Sequence, residues 1–327
     1  MEFILWNREN FDKIYNCTGI NVDDIPIEKR RYPKTAIICI LLGFIYYPLY
    51  FPCIYSFWKN KAKNPCYILL IYLSLMDICL LWVPTFAAGI FSLNGVVYCS
   101  SPFLTYFVGC DILFFWAPEC SADLISRINR CLEIAFPNIS KKLFHNNRVY
   151  FWLIFCSLYG FYWLLFRHPC IFNGINFVFA YDPLIGYKPF RIEFFGQDLL
   201  EITLHNYILA IGSPIIYILF AFCLIFKFRA LSNKITKEEI LVFIQVFIIS
   251  MFNSSCGIIS SYIVNNPDSG FNLQMVGYFS WIHVHGAPPV IYLLLNKTVR
   301  NDTKNIFKII HNKISPSNGS MENNMLG

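Results

Sequence analysis

Four charged residues lie at helical spacing within and just after a long apolar stretch of the chain. Glu119, Asp123, Arg127 and Arg130 follow one another at steps of four, four and three, so a helix places them near one face. Carboxylates buried among apolar side chains are costly and often mark function. The spacing therefore predicts a polar line along one helix. The alternative is that the acids only hydrogen-bond to neighbouring helices.

A further acid occurs in a second apolar stretch. Asp77 lies there without a nearby basic residue in the sequence. It could meet Glu119 or Asp123 across a helix bundle, through a cation, a water molecule or a shared proton. We therefore predict a polar core made by Asp77, Glu119 and Asp123.

Aromatic residues surround a third acid, Asp111, in the apolar stretch that contains Glu119 and Asp123. Asp111 lies about 18 Å before Asp123 along a helix. Apolar walls with a single polar group suit a small-molecule site, although such aromatic stripes also serve as packing. The residues predicted to bind a ligand are Phe107, Asp111, Phe114, Phe115 and Trp281.

Signatures of metal, cofactor and catalytic sites are missing from the sequence. His283 and His285 are two residues apart, which places them on different faces of a helix and argues against a paired metal site. We find no His-Glu-x-x-His, Gly-x-Ser-x-Gly, Walker or Cys-x-x-Cys motif. The sequence predicts a protein that is not an enzyme, has no cofactor and binds no nucleic acid.

The elements that position these residues must cross a membrane. Of 327 residues, 56% are hydrophobic and 14% are charged, and the mean hydropathy is +0.50, far from a soluble domain. Seven apolar stretches are each long enough to span a bilayer as a helix. We number them span 1 to span 7: 35–58, 66–93, 102–126, 149–166, 200–226, 240–264 and 275–295. The predicted fold is an all-α membrane protein, a seven-transmembrane helix bundle over 35–295.

The distribution of basic residues predicts the orientation of the bundle. The connections after spans 1, 3 and 5 and the tail after span 7 hold 17 Lys and Arg residues, whereas the three opposite connections hold 3. By the positive-inside rule, the first set faces the cytosol. Residues 1–34 then form an extracellular segment and 296–327 a cytosolic tail. The tail alternates apolar and basic residues as an amphipathic helix on the inner leaflet does.

Three cysteines and one sequon fall on the predicted outer side. Asn16 heads a glycosylation sequon there. Cys17, Cys99 and Cys170 allow at most one disulfide among them. We favour Cys99 with Cys170, because that bridge would tie the long loop 169–199 over the bundle; Cys17 is the competing partner of Cys99.

Several motifs resemble those of rhodopsin-like G-protein-coupled receptors. The segment from His285 to Arg300, with Tyr292, resembles their Asn-Pro-x-x-Tyr region, and Asp77 lies in a Leu-Ser-x-x-Asp motif similar to their Leu-Ala-x-x-Asp. Asn129-Arg130-Cys131 stands where they have Asp-Arg-Tyr. Asn129 replaces the acid, Pro288 replaces the asparagine and span 6 lacks their Cys-Trp-x-Pro.

At the positions where the chain departs from these motifs, its sequence resembles one subfamily, the nematode serpentine receptors of class T. The resemblance runs from about Tyr15 to Arg300 and is carried by short motifs in a fixed order: Tyr15-Asn16-Cys17-Thr18, Tyr47-x-x-Tyr50-x-Pro52-Cys53, Cys66-Tyr67, Gly95-x-x-x-Cys99-x-x-Pro102, Asn129-Arg130-Cys131, Leu143-Phe144, Asp182-Pro183 and His285-Gly286-x-Pro288. It implies a rhodopsin-like chemosensory receptor in the plasma membrane, within the cilium of sensory neurons, with a small-molecule ligand and a heterotrimeric G protein as partners.

This resemblance also implies residues for G-protein coupling. We expect Arg130, Asn129 and Tyr292 at the inner face, with Glu238 and Glu239 as candidate restraints on Arg130. The alternative function is a ligand-gated channel or transporter subunit of the plasma membrane. Transporters usually carry inverted repeats, and none is detectable here. Nothing in the sequence identifies the ligand, the Gα subtype or dimerisation.

Overall fold

The computed structural model describes residues 8–230, 236–266 and 270–314 and contains a helix in each predicted span. Span 1 is Pro33–Asn60, span 3 Pro102–Ala135, span 4 Arg148–Phe166, span 5 Ile192–Ala230 and span 6 Lys237–Asn265. Span 2 consists of Cys66–Trp82, a π-helical turn Val83–Ala87 and Ala88–Leu93, and span 7 of Phe271–Gly286 and Pro288–Leu295. Spans 3 and 5 extend beyond their predicted apolar stretches, through segments that contain charged residues.

Shorter elements cap the two ends of the bundle. The upper end, where the chain begins, carries a helix at Arg8–Ile14, 3₁₀ turns at Val22–Asp24, Ile27–Lys29 and Tyr98–Ser100, and a hairpin of strands β1 (Ile171–Asn173) and β2 (Val178–Ala180). The strands pair antiparallel, with Phe172 opposite Phe179. The lower end carries a helix at Pro137–Phe144 and the tail helix Lys297–Ile314.

Within the described residues, spans 1 to 6 each contain a helix long and apolar enough to cross a membrane. Span 7 is divided at Ala287, because Pro288 and Pro289 supply no backbone N–H to continue the helix. Together the spans form a helical membrane bundle.

Small residues set the closest helix contacts. A Cβ on Gly160 of span 4 would come within 2.6 Å of the Phe114 carbonyl oxygen on span 3, and one on Gly286 of span 7 would lie 2.2 Å from the Tyr46 ring on span 1. Close approach at small residues is typical of membrane helices, whose association depends on packing. Span 3 packs against spans 2, 4 and 5, so its polar line lies at the centre of the bundle.

The disulfide at the upper end joins Cys17 to Cys99, and the predicted Cys99–Cys170 bridge is wrong. Tyr15 packs its ring against Tyr98 and Tyr106, which holds the N-terminal segment over the start of span 3 and brings Cys17 to Cys99. Cys170 is buried and free. Its backbone carbonyl presses on Gly109 of span 3, so packing rather than a bridge holds this part of the loop.

The tail helix is fastened to span 1 at the lower end. Asp302 is buried, and its carboxylate accepts hydrogen bonds from Ser56 at 2.8 Å, Asn60 at 3.0 Å and Lys59 at 2.6 Å. Phe307, Ile309 and Ile310 on the same helix are exposed, as suits a helix whose apolar face meets the lipid.

Candidate functional site

A cavity of about 250 Å³ opens between spans 3, 5, 6 and 7 beneath the β-hairpin. Its walls are mostly apolar, with Trp116 on span 3, Ile202 on span 5 and Trp281 on span 7. Residues 178–181, which comprise strand β2 and the residue after it, cover the cavity. Glu119 and His285 lie at its floor. Apolar walls around a few polar groups are the usual form of a small-molecule site.

Of the residues predicted to bind a ligand, only Trp281 lines this cavity. Phe107, Asp111, Phe114 and Phe115 do not line it, so a role for these four residues in binding a ligand stays a prediction. The lining positions of span 3 are Ile112, Leu113, Trp116, Glu119 and Cys120. Phe107, Asp111 and Phe114 follow steps of four and three on the opposite side of the helix, where Phe114 packs on Phe161 of span 4.

The cavity floor brings Asp77 and Glu119 together with His285. Nδ1 of His285 lies 2.9 Å from Oδ1 of Asp77, and one ligand atom from each of the three residues lies within 4.8 Å of the others. All three side chains are buried, and Tyr50 donates a hydrogen bond to the His285 carbonyl oxygen. Nε2 of His285 has no hydrogen-bond partner within the described residues. Three such donors could hold a cation or share a proton.

Asp123 lies one turn below Glu119 and has different partners. It forms a two-point ion pair with Arg127 of its own helix, and Nδ2 of Asn253 on span 6 donates to Asp123 Oδ2 at 2.8 Å. Arg127 is 4% exposed. We name this set, Asp123, Arg127 and Asn253, the span 3 to span 6 contact; it joins two helices at the cavity floor, where Asn253 also lines the cavity.

A smaller cavity of about 40 Å³ lies at the lower end, and Arg130 and Tyr292 both line it. Nη1 of Arg130 lies 3.7 Å from Oε2 of Glu133, one turn along the same helix. Asn129 does not face this cavity: it is fully buried and donates a hydrogen bond of 3.4 Å to Ser140 Oγ. The side chains of Glu238 and Glu239 lie outside the described residues, so their contact with Arg130 stays a prediction.

Two members of these clusters had no strong signal in the sequence. His285 is one of two histidines in an apolar helix, and only a known bundle geometry shows which of them meets Asp77. Asn253 is a single amide in span 6, and its partner Asp123 lies 130 residues away. Arg127 belongs to the spaced line of charges on span 3, and that spacing could have paired it with Asp123 at a step of four.

The predicted glycosylation site lies in a turn at the upper end. Asn16 is exposed, and its side-chain oxygen accepts a hydrogen bond of 2.8 Å from the Thr18 backbone N–H. An exposed turn suits a modification acceptor, and its use stays a prediction.

The family that matches this chain is a family of seven-transmembrane receptors, in agreement with the seven spans. The family model described as serpentine type 7TM GPCR chemoreceptor Srt matches residues 1–316. The chain belongs to the Srt family. It is also 21% identical over 303 residues to serpentine receptor class T-55 of Caenorhabditis elegans, a match that covers 90% of this chain and 80% of that receptor. The predicted resemblance to class T is confirmed, and Srt membership favours a chemoreceptor over a channel or transporter subunit.

Proposed function

We propose that this Srt chemoreceptor binds a small molecule in the cavity beneath the β-hairpin and activates a heterotrimeric G protein at the lower end of the bundle. The observation that carries the proposal is the position of the cavity floor. Glu119 and His285 line the cavity, and Asp123 lies one helical turn below Glu119 in the span 3 to span 6 contact. A ligand on the floor therefore acts next to a contact between two helices that can separate.

The walls of the cavity define the class of ligand. Trp116, Phe179 and Trp281 offer aromatic surface, while Glu119, His285 and Asn206 offer groups that form hydrogen bonds. The ligand we expect is a small, largely apolar molecule with one or two polar groups. Its apolar part provides affinity and its polar part selects the orientation.

In this proposal, the helix bundle has an inactive and an active arrangement, and the signal is the shift from the first to the second. An agonist shifts the population only if it binds the active arrangement more tightly, and the G protein must prefer the same arrangement. Such coupling between two sites is reciprocal and typically worth about 1 to 3 kcal/mol. In this proposal, Asn253 releases Asp123 when span 6 moves, and a helix of the G protein enters the widened lower cavity beside Arg130.

The site of action follows from the family and the charge pattern. We place the receptor in the plasma membrane, with the cavity open to the outside and the basic loops in the cytosol. The cilium of sensory neurons is the expected compartment.

A paired substitution tests the cavity. Cys256 and Ile258 lie on span 6, but Cys256 lines the cavity whereas Ile258 is 58% exposed on the outer surface of the bundle. Receptors carrying Cys256→Phe or Ile258→Phe are expressed with a G-protein reporter and screened with small molecules until the wild type responds. Cys256→Phe should abolish the response at normal surface level, and Ile258→Phe should keep it. Equal responses in both variants would contradict the assignment of this cavity.

A further inference from the structure

Spans 6 and 7 enclose a second space that faces away from the ligand cavity. The groove measures about 620 Å³. From span 7 it is lined by Met275, Val276, Phe279, Ser280 and His283, whereas Trp281, Val284 and His285 of the same helix face the ligand cavity. Span 7 thus separates two spaces, and the groove opens on the outer surface of the bundle.

The sequence explains why the groove is there. At Gly277 spans 6 and 7 approach so closely that a Cβ would lie 2.5 Å from Cδ1 of Ile263. Below this contact the facing side chains on span 6 are Phe247, Ile248, Met251, Phe252 and Ser255. Phe247, Met251 and Val276 are 40%, 49% and 51% exposed. In a membrane protein, such surface meets the hydrocarbon of the bilayer.

Polar groups interrupt this apolar lining. Nδ1 of His283 lies 2.6 Å from the Phe279 carbonyl oxygen. A carbonyl oxygen can only accept, so Nδ1 carries a proton, and in the neutral imidazole Nε2 is then an acceptor. Among the described residues, no donor contacts Nε2. Lipid hydrocarbon cannot supply one either, and an unsatisfied polar group in the membrane is costly.

We propose that this groove is a lateral binding site for a lipophilic molecule that carries a hydroxyl group. The molecule enters from the bilayer, its hydrocarbon part lies against Met251, Val276 and Phe279, and its hydroxyl donates to Nε2 of His283. Ser255 and Ser280 line the same groove and offer further hydrogen-bonding oxygens. The occupant that we propose is a long-chain alcohol, which combines one hydroxyl with a hydrocarbon chain. The site is separate from the ligand cavity and does not depend on G-protein coupling.

Photolabelling in a membrane tests the site directly. The purified full-length receptor is placed in phosphatidylcholine nanodiscs with decanol carrying a diazirine on its chain, or with the matching diazirine decane, and is irradiated. Adducts are located by peptide mass spectrometry. We expect the alcohol to label the groove residues of spans 6 and 7 several-fold more than other exposed apolar positions, and the alkane to show no such preference. Unlabelled decanol should compete with this labelling, whereas competition by unlabelled cholesterol and not by decanol would overturn the assignment to a long-chain alcohol.

Two variants and a control assign the contacts. His283→Leu removes the acceptor at similar volume and should remove most of the alcohol's several-fold preference over the alkane, as loss of one hydrogen bond in an apolar site allows. Val276→Trp should fill the groove and remove the labelling there. Ile218→Trp, at a 51% exposed position of span 5, should change neither. Alcohol adducts spread evenly over all spans, or an unchanged preference in a folded His283→Leu receptor, would overturn the proposal.

Discussion

Arg127 and Arg130 lie one turn apart on span 3 and have different surroundings. Arg127 is buried and paired at two points with Asp123, a geometry that suits the planar guanidinium group. Arg130 lines the lower cavity, and its side chain is 21% exposed beside Glu133. Both arginines line the lower cavity, but Arg127 is held by a carboxylate of its own helix, and Arg130 is the more exposed of the two.

Arg130→Ala tests the coupling role. We expect normal folding and surface delivery, because the side chain lies at the boundary of the bundle, and a strong fall in agonist-driven G-protein signalling. Arg130→Lys should restore signalling only in part, since an ammonium group lacks the fork of donors that guanidinium presents to carbonyl groups. A well-expressed Arg130→Ala receptor with a full agonist response would exclude this role.

Asn253→Ala tests the restraint between spans 3 and 6. The change removes the 2.8 Å hydrogen bond to Asp123, and polar contacts between membrane helices are worth about 0.6 kcal/mol on average. We expect a modest rise in signalling without agonist, by about two- to threefold. Asn265→Ala is the matched control, because it removes a 3.1 Å bond from span 6 to Thr203 of span 5 near the upper end. If both variants raise basal signalling equally, the effect is a general loosening of span 6.

The sequence predicted which single residues are unusual better than it predicted which other residues they contact. The polar core of Asp77, Glu119 and Asp123 could be proposed because acids in apolar stretches are rare, and the structure places Asp77 beside Glu119. The sequence did not find the span 3 residues that line the cavity, because helical spacing shows which residues share a face and does not show which face is turned to the cavity. Phe107, Asp111 and Phe114 do share a face, but it is the opposite one.

Among the elements, the tail helix is attached to span 1 by the buried side chain of Val299 and by the carboxylate of Asp302. Burial would raise the pKa of Asp302, but hydrogen bonds from Lys59, Ser56 and Asn60 outweigh it and lower the pKa below its ordinary value of 3.8. A lowered pKa in the folded state means that the ionised form stabilises docking. This contribution is present above the ordinary value and is lost as the pH falls through the lowered pKa.

Asp302→Ala should release the tail helix from span 1. The substitution leaves the buried Ser56 hydroxyl without its acceptor, at a cost of about 1 to 3 kcal/mol, whereas Asn60 keeps its 2.8 Å bond to the Ser56 backbone carbonyl oxygen. Faster amide hydrogen exchange confined to residues 297–314 is the expected measurement. Lys59→Ala should have a smaller effect, because this side chain is 49% exposed and exposed ion pairs contribute little. In the wild type, slow exchange should persist at about pH 5 and be lost only in stronger acid.

The positions of the helices could be predicted from composition, whereas the irregular turns within them could not. Apolar runs of membrane length predicted all seven spans, and each contains a helix. The π-helical turn at Val83–Ala87 and the break at Ala287 depend on how neighbouring groups satisfy the backbone around Pro84 and Pro288. At the first of these, Thr85 donates to the Leu81 carbonyl oxygen at 2.6 Å. Such compensation arises from tertiary packing, and apolar runs carry no signal for it.

For the whole molecule, the charge asymmetry predicts an extracellular N-terminus. An epitope inserted after residue 2 should bind antibody on intact cells, and Asn16→Gln should remove any glycan-dependent shift in mobility. The same epitope placed after residue 327 should stain only permeabilised cells. Staining of the N-terminal epitope that requires permeabilisation would reverse the bundle and remove the outer ligand cavity from the proposal.

The disulfide between Cys17 and Cys99 has a consequence for the order of assembly. The loop that it closes contains spans 1 and 2 only, and both cysteines precede span 3 in the chain. The bridge can therefore form while the ribosome is still producing spans 3 to 7. A bond to Cys170 would have to wait until span 4 had been inserted. The first two helices and the N-terminal segment thus constitute a covalently closed template, on which the later helices, including every wall of the ligand cavity, are added during biosynthesis.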